Sequence, residues 1–451
     1  NIPCQSDNFC QSSFTSNYLC LNGVCRNDSL LKFDATWVFG VTLIILISSI
    51  ANAGGVGGGA VLSAVYVLVF KFTMSDAIPL ANIAIFSGAL INFIMIFNKR
   101  SREDSNQLYV KYRMVSLFLP LMMSGSIVGV VLNQFLPPLF IILFLTYFLV
   151  TKTYDLKLKI RKLELQEEIK RKLETENVGS EMKDYLEKNQ DEAKPDKIVD
   201  YYFSFKHNKQ VDPSTHIVQK DTRQLLRADK WYILKIIAIY VFFIFGLMIR
   251  GGRTVKSIIG IASCSFWGWL VFFGIHFGLY LFFKTPQDKH ENDAEQRSST
   301  ESLLGGESLL IEYDKSNLVK DSFISGVIAS TLGLGGGIVL MPILINRRIE
   351  TETASGLCSV LVLMTSLSAT TQFMIAGAFD FKKIIVISML SITGSYGGYV
   401  GIDYLVTKFK KPTLIIWMVF TIYLLSAIIL PLIGFENLLT MPNSLSFGSL
   451  C

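Results

Sequence analysis

Long apolar runs that are almost free of charge constrain this chain more than any other feature. They cover residues 36–53, 60–71, 77–97, 115–134, 137–151, 231–249, 263–283, 322–345, 354–377, 384–406 and 412–434. A helix needs about 17–25 such residues to cross about 30 Å of hydrocarbon. Only 17% of the residues are charged, against about a quarter in soluble proteins. The charge is also concentrated: residues 152–230 hold 18 Lys/Arg and 16 Asp/Glu. The chain therefore reads as an all-α polytopic membrane protein whose first partner is the lipid bilayer. Its net charge of +6 is divided among loops and gives no reason to invoke nucleic acid.

Two of the apolar runs are interrupted by glycine. Gly54-Gly55-Val56-Gly57-Gly58-Gly59 separates a longer arm, 36–53, from a short one, 60–71, and Gly333-Leu334-Gly335-Gly336-Gly337 leaves short arms on either side. Short arms cannot span a bilayer. Each broken segment is thus either a re-entrant hairpin or one unwound span, and bare backbone at that depth is tolerated only inside protein or beside a watery cavity. The breaks belong to an internal repeat. Gly57–Gly59, Asn82, Gly125-Ser126 and Pro138 recur in order as Gly335–Gly337, Ser359, Gly394-Ser395 and Pro412. The step from Gly59 to Asn82 is nearly equal to that from Gly337 to Ser359. Each Gly-Ser helix carries a small-xxx-small pair, Gly125 with Gly129 and Gly394 with Gly398, a spacing that lets helix backbones approach closely.

The N-terminal stretch 1–25 holds Cys4, Cys10, Cys20 and Cys25. So short a stretch cannot bury a core, and two disulfides in an oxidising compartment are its natural staple, with three pairings open. Asn27-Asp28-Ser29 is a glycosylation sequon in the same segment. The chain starts without Met and is expected to be a mature form after signal-peptide removal. Starting outside, with both broken segments as hairpins, the short loops place ten Lys/Arg in the cytoplasm and six outside, following the positive-inside tendency. Five crossings then separate the hairpins, so the two halves are inverted repeats, as in many secondary transporters. The expected organisation is a disulfide-stapled extracytoplasmic segment (1–35), a first membrane repeat (36–151) and a charged cytoplasmic loop (152–230). Two linking transmembrane helices (231–283), an acidic cytoplasmic linker (284–319), a second repeat (320–434) and an extracytoplasmic tail (435–451) complete it. Each repeat holds one glycine-broken helix and about three transmembrane helices.

The glycine motifs, with Val339-Leu340-Met341-Pro342, Ala354-Ser355-Gly356 and Gly377-Ala378-Phe379-Asp380 in the second half, resemble the signature motifs of the sulfite exporter TauE/SafE family. The resemblance covers most of 40–151 and 320–434. It implies a transporter of sulfite or a related sulfur-containing organic anion; the oxidising compartment of the cysteine segment places it in the plasma membrane or an endomembrane. The residues suggest how such a carrier would work. A helix that starts inside the membrane presents unpaired N–H groups at the positive end of its dipole, and glycine lets an anion reach them. Two such starts, at Gly57, Gly58, Gly59 and Ala60 and at Gly335, Gly336, Gly337 and Ile338, would hold an oxyanion without burying a Lys or Arg. Asn82 and Ser359 are the expected side-chain donors.

Ser355, Ser359, Ser366 and Thr370 fall on one helical stripe, with Gln372 nearby. Hydroxyls there could complete an anion's shell, although Ser and Thr also serve to pack membrane helices. His276 reads as a packed histidine, and Cys264 and Cys358 as buried thiols. His207, His216 and His290 lack metal-ligand spacing, so no metal or cofactor is expected. No nucleophile, base and orienter converge, so the protein is not expected to be an enzyme. Residues 156–173 form an amphipathic charged helix that could bind a protein partner or self-associate. The alternative to transport is a membrane scaffold or receptor that keeps the transporter fold.

Overall fold

The computed structural model describes residues 18–21, 24–27, 34–55, 57–100, 108–175, 229–251, 315–346, 351–375, 381–409 and 413–440, with isolated positions at 8, 10, 30, 274 and 349. The expected helix at 263–283 with His276 and Cys264, residues 284–314 of the expected linker and the Gly377–Asp380 motif lie outside the described residues, apart from position 274; residues 315–319 are helical.

Among the described residues there are eleven helices. The first five are α1 (Ala35–Ala53), α2 (Gly59–Leu68), α3 (Met74–Ile96), α4 (Tyr112–Phe135) and α5 (Pro138–Thr175). They are followed by α6 (Lys230–Arg250), α7 (Lys315–Leu332), α8 (Gly336–Asn346), α9 (Thr351–Ile375), α10 (Phe381–Phe409) and α11 (Thr413–Thr440). Six of these are long and apolar enough to cross a membrane; α2 and α8 are apolar but too short. The chain is an integral, multi-pass membrane protein.

Ahead of the membrane helices the N-terminal segment carries a short ribbon. Strands β1 (Tyr18–Leu21) and β2 (Val24–Asn27) pair antiparallel, with Cys20 opposite Cys25 and Asn27 opposite Tyr18. Cys10 and Cys20 each take part in a disulfide; the side chains of Cys4 and Cys25 are not among those described. The Trp37 indole N–H donates to the Leu30 carbonyl at 2.9 Å, tying this segment to α1. The helix itself is capped by the Asp34 carboxylate, which accepts from the Trp37 backbone N–H at 2.8 Å, satisfying one of its orphan donors.

Helix directions follow from which residues meet. Gly394 and Gly398 of α10 rest on Ile45 and Ser49 of α1, where an added Cβ would lie 2.4 and 2.1 Å from the respective carbonyl oxygens. Both numbers rise together, so α1 and α10 are parallel. Gly125 and Gly129 of α4 rest on Phe323 and Val327 of α7 in the same way, at 2.2 and 2.4 Å, and these helices are parallel too. Ile45 corresponds to Phe323 and Ser49 to Val327 by one constant offset along the chain. The small-xxx-small pair of each half thus packs on the first helix of the other.

Helix α3 runs with α10, since Ala84 meets Ser391 and Gly88 meets Ser395. It runs against α9: Asn92 reaches Ser359, while Ile85 and Val362 come together over Gly57. Helix α4 runs with α9, through Tyr109 at Gly356 and Ser126 at Ser368. Helices α1, α3 and α10 therefore point one way and α4, α7 and α9 the other, the arrangement an inverted repeat would give. Because α1 and α3 are parallel, α2 turns the chain back between them. The same holds for α8 between α7 and α9. Both broken segments are hairpins rather than unwound spans.

Helix α5 does not stop at residue 151, where the apolar run ends, but continues to Thr175. Leu156 and Ile160 are buried in one apolar cluster with Ile416 and Val419 of α11, and the Trp417 indole donates to Glu164 at 2.9 Å. The first two apolar positions of the 156–173 face are thus covered by the chain itself.

Candidate functional site

The glycine breaks adopt matching backbone. Gly55 and Gly333 have φ of +70° and +65°, and Gly57 and Gly335 have φ of +90° and +73°, values that favour glycine because a Cβ would clash. Each pair is related by the same offset that relates Ile45 to Phe323. The two breaks touch. A Cβ added at Gly59 would lie 1.9 Å from the Gly333 carbonyl oxygen, and one at Gly57 would lie 3.6 Å from that of Leu334. Gly57, Gly58, Gly59 and Ala60 are buried, as are Gly335, Gly336, Gly337 and Ile338. The starts of α2 and α8 therefore come together in the interior, each adding the positive end of a helix dipole. Among the described residues Lys383 is the one buried Lys or Arg, at 6% exposure.

Asn82 and Ser359 both reach this junction, but each faces the other half's break. A Cβ at Gly55 would be 2.8 Å from Ser359 Oγ and 3.3 Å from Ser355 Oγ; one at Gly333 would be 3.5 Å from Asn82 Nδ2. The Ser359 hydroxyl donates to the Ser355 carbonyl at 2.8 Å and accepts from Asn92 at 3.1 Å. Asn82 donates to the Ile78 carbonyl at 3.0 Å. At the second break the Gly336 N–H donates to Thr365 Oγ1 at 3.3 Å. The buried Tyr423 hydroxyl donates to the Ile338 carbonyl.

The serine stripe divides. Ser355 and Ser359 face the first break, whereas the Ser366 hydroxyl turns back on its own helix, donating to the Val362 carbonyl at 2.6 Å. Thr370 Oγ1 and Gln372 Oε1 are buried without a hydrogen-bond partner. Three residues the sequence did not single out, Thr365, Asn52 and Asn92, take part instead. Asn92 donates to the Asn52 carbonyl at 2.7 Å, and Asn52 donates to Ser395 Oγ at 2.8 Å. The equivalent linkage in the other half is Ser330 to Ser126 at 2.7 Å, with Ser126 and Ser368 3.4 Å apart. A polar residue in an apolar run was the available signal for Asn52 and Asn92.

Together the fold and this junction define a multi-pass helical membrane protein in which two re-entrant helices start against each other at the buried centre. Residues 223–430 match the sequence profile of the family described as Sulfite exporter TauE/SafE. Sulfite exporter TauE/SafE family protein 5 of Arabidopsis thaliana is 23% identical over 412 residues, covering 90% of this chain and 84% of the relative. Family protein 1 of the same plant is 21% identical over 91% of this chain and 86% of its own length. Family protein 2 is 22% identical over 93% and 88%. The chain is thus similar over most of its length to proteins described as members of the sulfite exporter TauE/SafE family. No solved structure matches it.

Proposed function

We propose that the protein carries a small oxyanion, sulfite or a sulfur-containing organic anion, across its membrane, bound where α2 and α8 start against each other. The observation that carries this is the contact between the two glycine breaks in a buried centre. The first N–H groups of each helix have no partner within the helix, and an oxyanion is the ligand that suits them. Gly57, Gly58, Gly59 and Ala60 supply one set of amides; Gly335, Gly336, Gly337 and Ile338 supply the other. Ser359 and Asn82 add side-chain donors from the facing helices. Binding through amides avoids the cost of placing a cation at mid-membrane, about 2.5–3.5 kcal/mol on the lenient scale.

In this reading residues 36–151 and 320–434 are inverted duplicates that rock about the junction. The N-terminal cysteine segment, with Asn27 as a glycan acceptor, faces away from the cytoplasm, and 152–230 faces into it. The test is flux of labelled sulfite, beside a panel of other anions, in proteoliposomes of the full chain. Flux should fall sharply in Gly336→Val and less in Ser359→Ala, with both variants monodisperse in detergent. Well-folded protein that moves none of these anions would overturn transport and leave the scaffold or receptor reading.

A further inference from the structure

Resting on that anion site, we infer that the anion reaches and leaves it along the seam between α3 and α10, guided by Lys383 at one end and Lys99 at the other. The opposite seam, between α4 and α9, serves as a closed structural counterpart.

The two seams occupy equivalent places in the two halves but differ in chemistry. Along α10 the inward positions are Lys383, Ile387, Ser391, Ser395 and Tyr399; the equivalent positions of α4, all at one constant offset, are Met114, Phe118, Met122, Ser126 and Val130. Only the serine pair is shared. On the α10 side the polar groups form a ladder. The Lys383 ammonium lies 5.7 Å from the centre of the Phe72 ring, just before α3. Next, Ser87 donates to Ser388 at 2.9 Å and Ser391 donates to the Ala84 carbonyl at 2.5 Å. Then come Ser395, Asn52 and Asn92, which lead to Ser359 at the first break. At the far end Lys99 donates to the Tyr399 hydroxyl at 3.2 Å and stands 5.2 and 5.1 Å from the Tyr109 and Tyr399 ring centres. Lys383 to Tyr399 spans about 24 Å of helix, most of the hydrocarbon thickness of about 30 Å.

The other seam offers an anion little. Met122 is buried, and its methyl would lie 2.4 Å from a Cβ at Gly336, so it covers the second break where Thr365 already accepts the Gly336 N–H. Depth in the fold separates the seams as well. Only 28% of the α10 span is buried, against 67% of the α4 span, so α10 turns much of its surface to lipid while α4 lies in the core. The α3–α10 seam is closely packed, but its hydroxyls and amides can exchange their present partners for an anion. Opening α4 from α9 would release no donors beyond Ser126 and Ser368.

Cysteine labelling of the full chain in proteoliposomes tests this, with Cys264, Cys358 and Cys451 replaced by Ser. Ser391→Cys, Ser395→Cys and Phe118→Cys are each treated with a methanethiosulfonate reagent that carries a sulfonate. Ser391→Cys and Ser395→Cys should react at least tenfold faster than Phe118→Cys, which lies on the α4 seam, and sulfite should protect them. Adding Lys383→Gln or Lys99→Gln should slow the anionic reagent about tenfold and an uncharged methanethiosulfonate less than twofold, with Lys383→Arg restoring the rate. Phe118→Cys reacting as fast as Ser391→Cys would overturn the seam. So would equal slowing of both reagents by the lysine variants. Labelling needs no sulfite flux, so a reactive seam that sulfite does not protect counts against the substrate, whereas an unreactive seam in a protein that still moves sulfite counts against the path.

Discussion

Replacing Gly59 with Ala probes the contact between the two glycine breaks directly. The new Cβ would start 1.9 Å from the Gly333 carbonyl oxygen, where an ordinary contact begins near 3.4 Å. One backbone must therefore move by about 1.5 Å relative to the other, since neither atom belongs to a side chain that can rotate away. Overpacking costs about 1–3 kcal/mol, and contact between two backbones puts this case at the upper end. Gly336→Ala is the matched control. Its Cβ would meet the terminal methyl of Met122 at 2.4 Å and Thr365 Oγ1 at 3.1 Å, and Met122 can yield by rotation at about 0.5–1.5 kcal/mol. Gly59 and Gly336 each open a helix, so the helix propensity gained over glycine is common to both and cancels in the comparison. The two variants should differ by about 2 kcal/mol, roughly thirtyfold in the unfolded fraction. Cys358 is a free, fully buried thiol in α9, so its reaction with a thiol dye on heating reports loss of the core once Cys264 and Cys451 are changed to Ser. Gly59→Ala should release it at a markedly lower temperature than Gly336→Ala. Coincident melting curves would mean that the breaks do not touch, and the composite anion site would fall with them.

Three further outcomes are expected. Ser359→Ala removes one neutral donor at the first break, worth about 0.5–1.5 kcal/mol, so sulfite affinity measured by calorimetry should fall by up to about tenfold. Tyr423→Phe leaves the buried Ile338 carbonyl without its hydroxyl donor; thermal unfolding should show a loss of about 1–3 kcal/mol, the cost of an unsatisfied buried acceptor. In sealed cells, impermeant reagents and protease should reach residues 1–35 but not 152–230, and external cleavage of that loop would reverse the proposed orientation.

Much of the architecture was legible because it depends on local properties. A charge-poor run of about 20 residues must become a helix in lipid, where every backbone polar group needs a partner within the segment. The glycine runs announced the two breaks, while leaving a hairpin and an unwound span equally open. The paired GxxxG spacing announced close helix contacts, and Gly125, Gly129, Gly394 and Gly398 all make them. Other features were hidden by the same local logic. The end of the apolar run at residue 151 marks a change of solvent, not the end of a helix, so α5 runs on to Thr175. The short ribbon in the cysteine-rich segment ahead of the membrane helices left no such local signature.

What the sequence determined by itself was the inventory: which runs lie in the membrane, where each helix breaks, and which short motifs occur twice. Hydropathy and helical period act over a few turns, and both can be read from neighbouring residues. Tertiary structure alone decided which elements meet. That Ser359 faces Gly55 and Asn82 faces Gly333, across the halves rather than within them, depends on helices far apart in the chain. The difference between the seams has the same origin. Met122 and Ser391 are both ordinary residues in apolar helices until packing sets one methyl over the second break and one hydroxyl on the Ala84 carbonyl. In lipid no hydrophobic force chooses between apolar helix faces, so close packing of glycines and a few hydrogen bonds select the partners, and those depend on both surfaces at once.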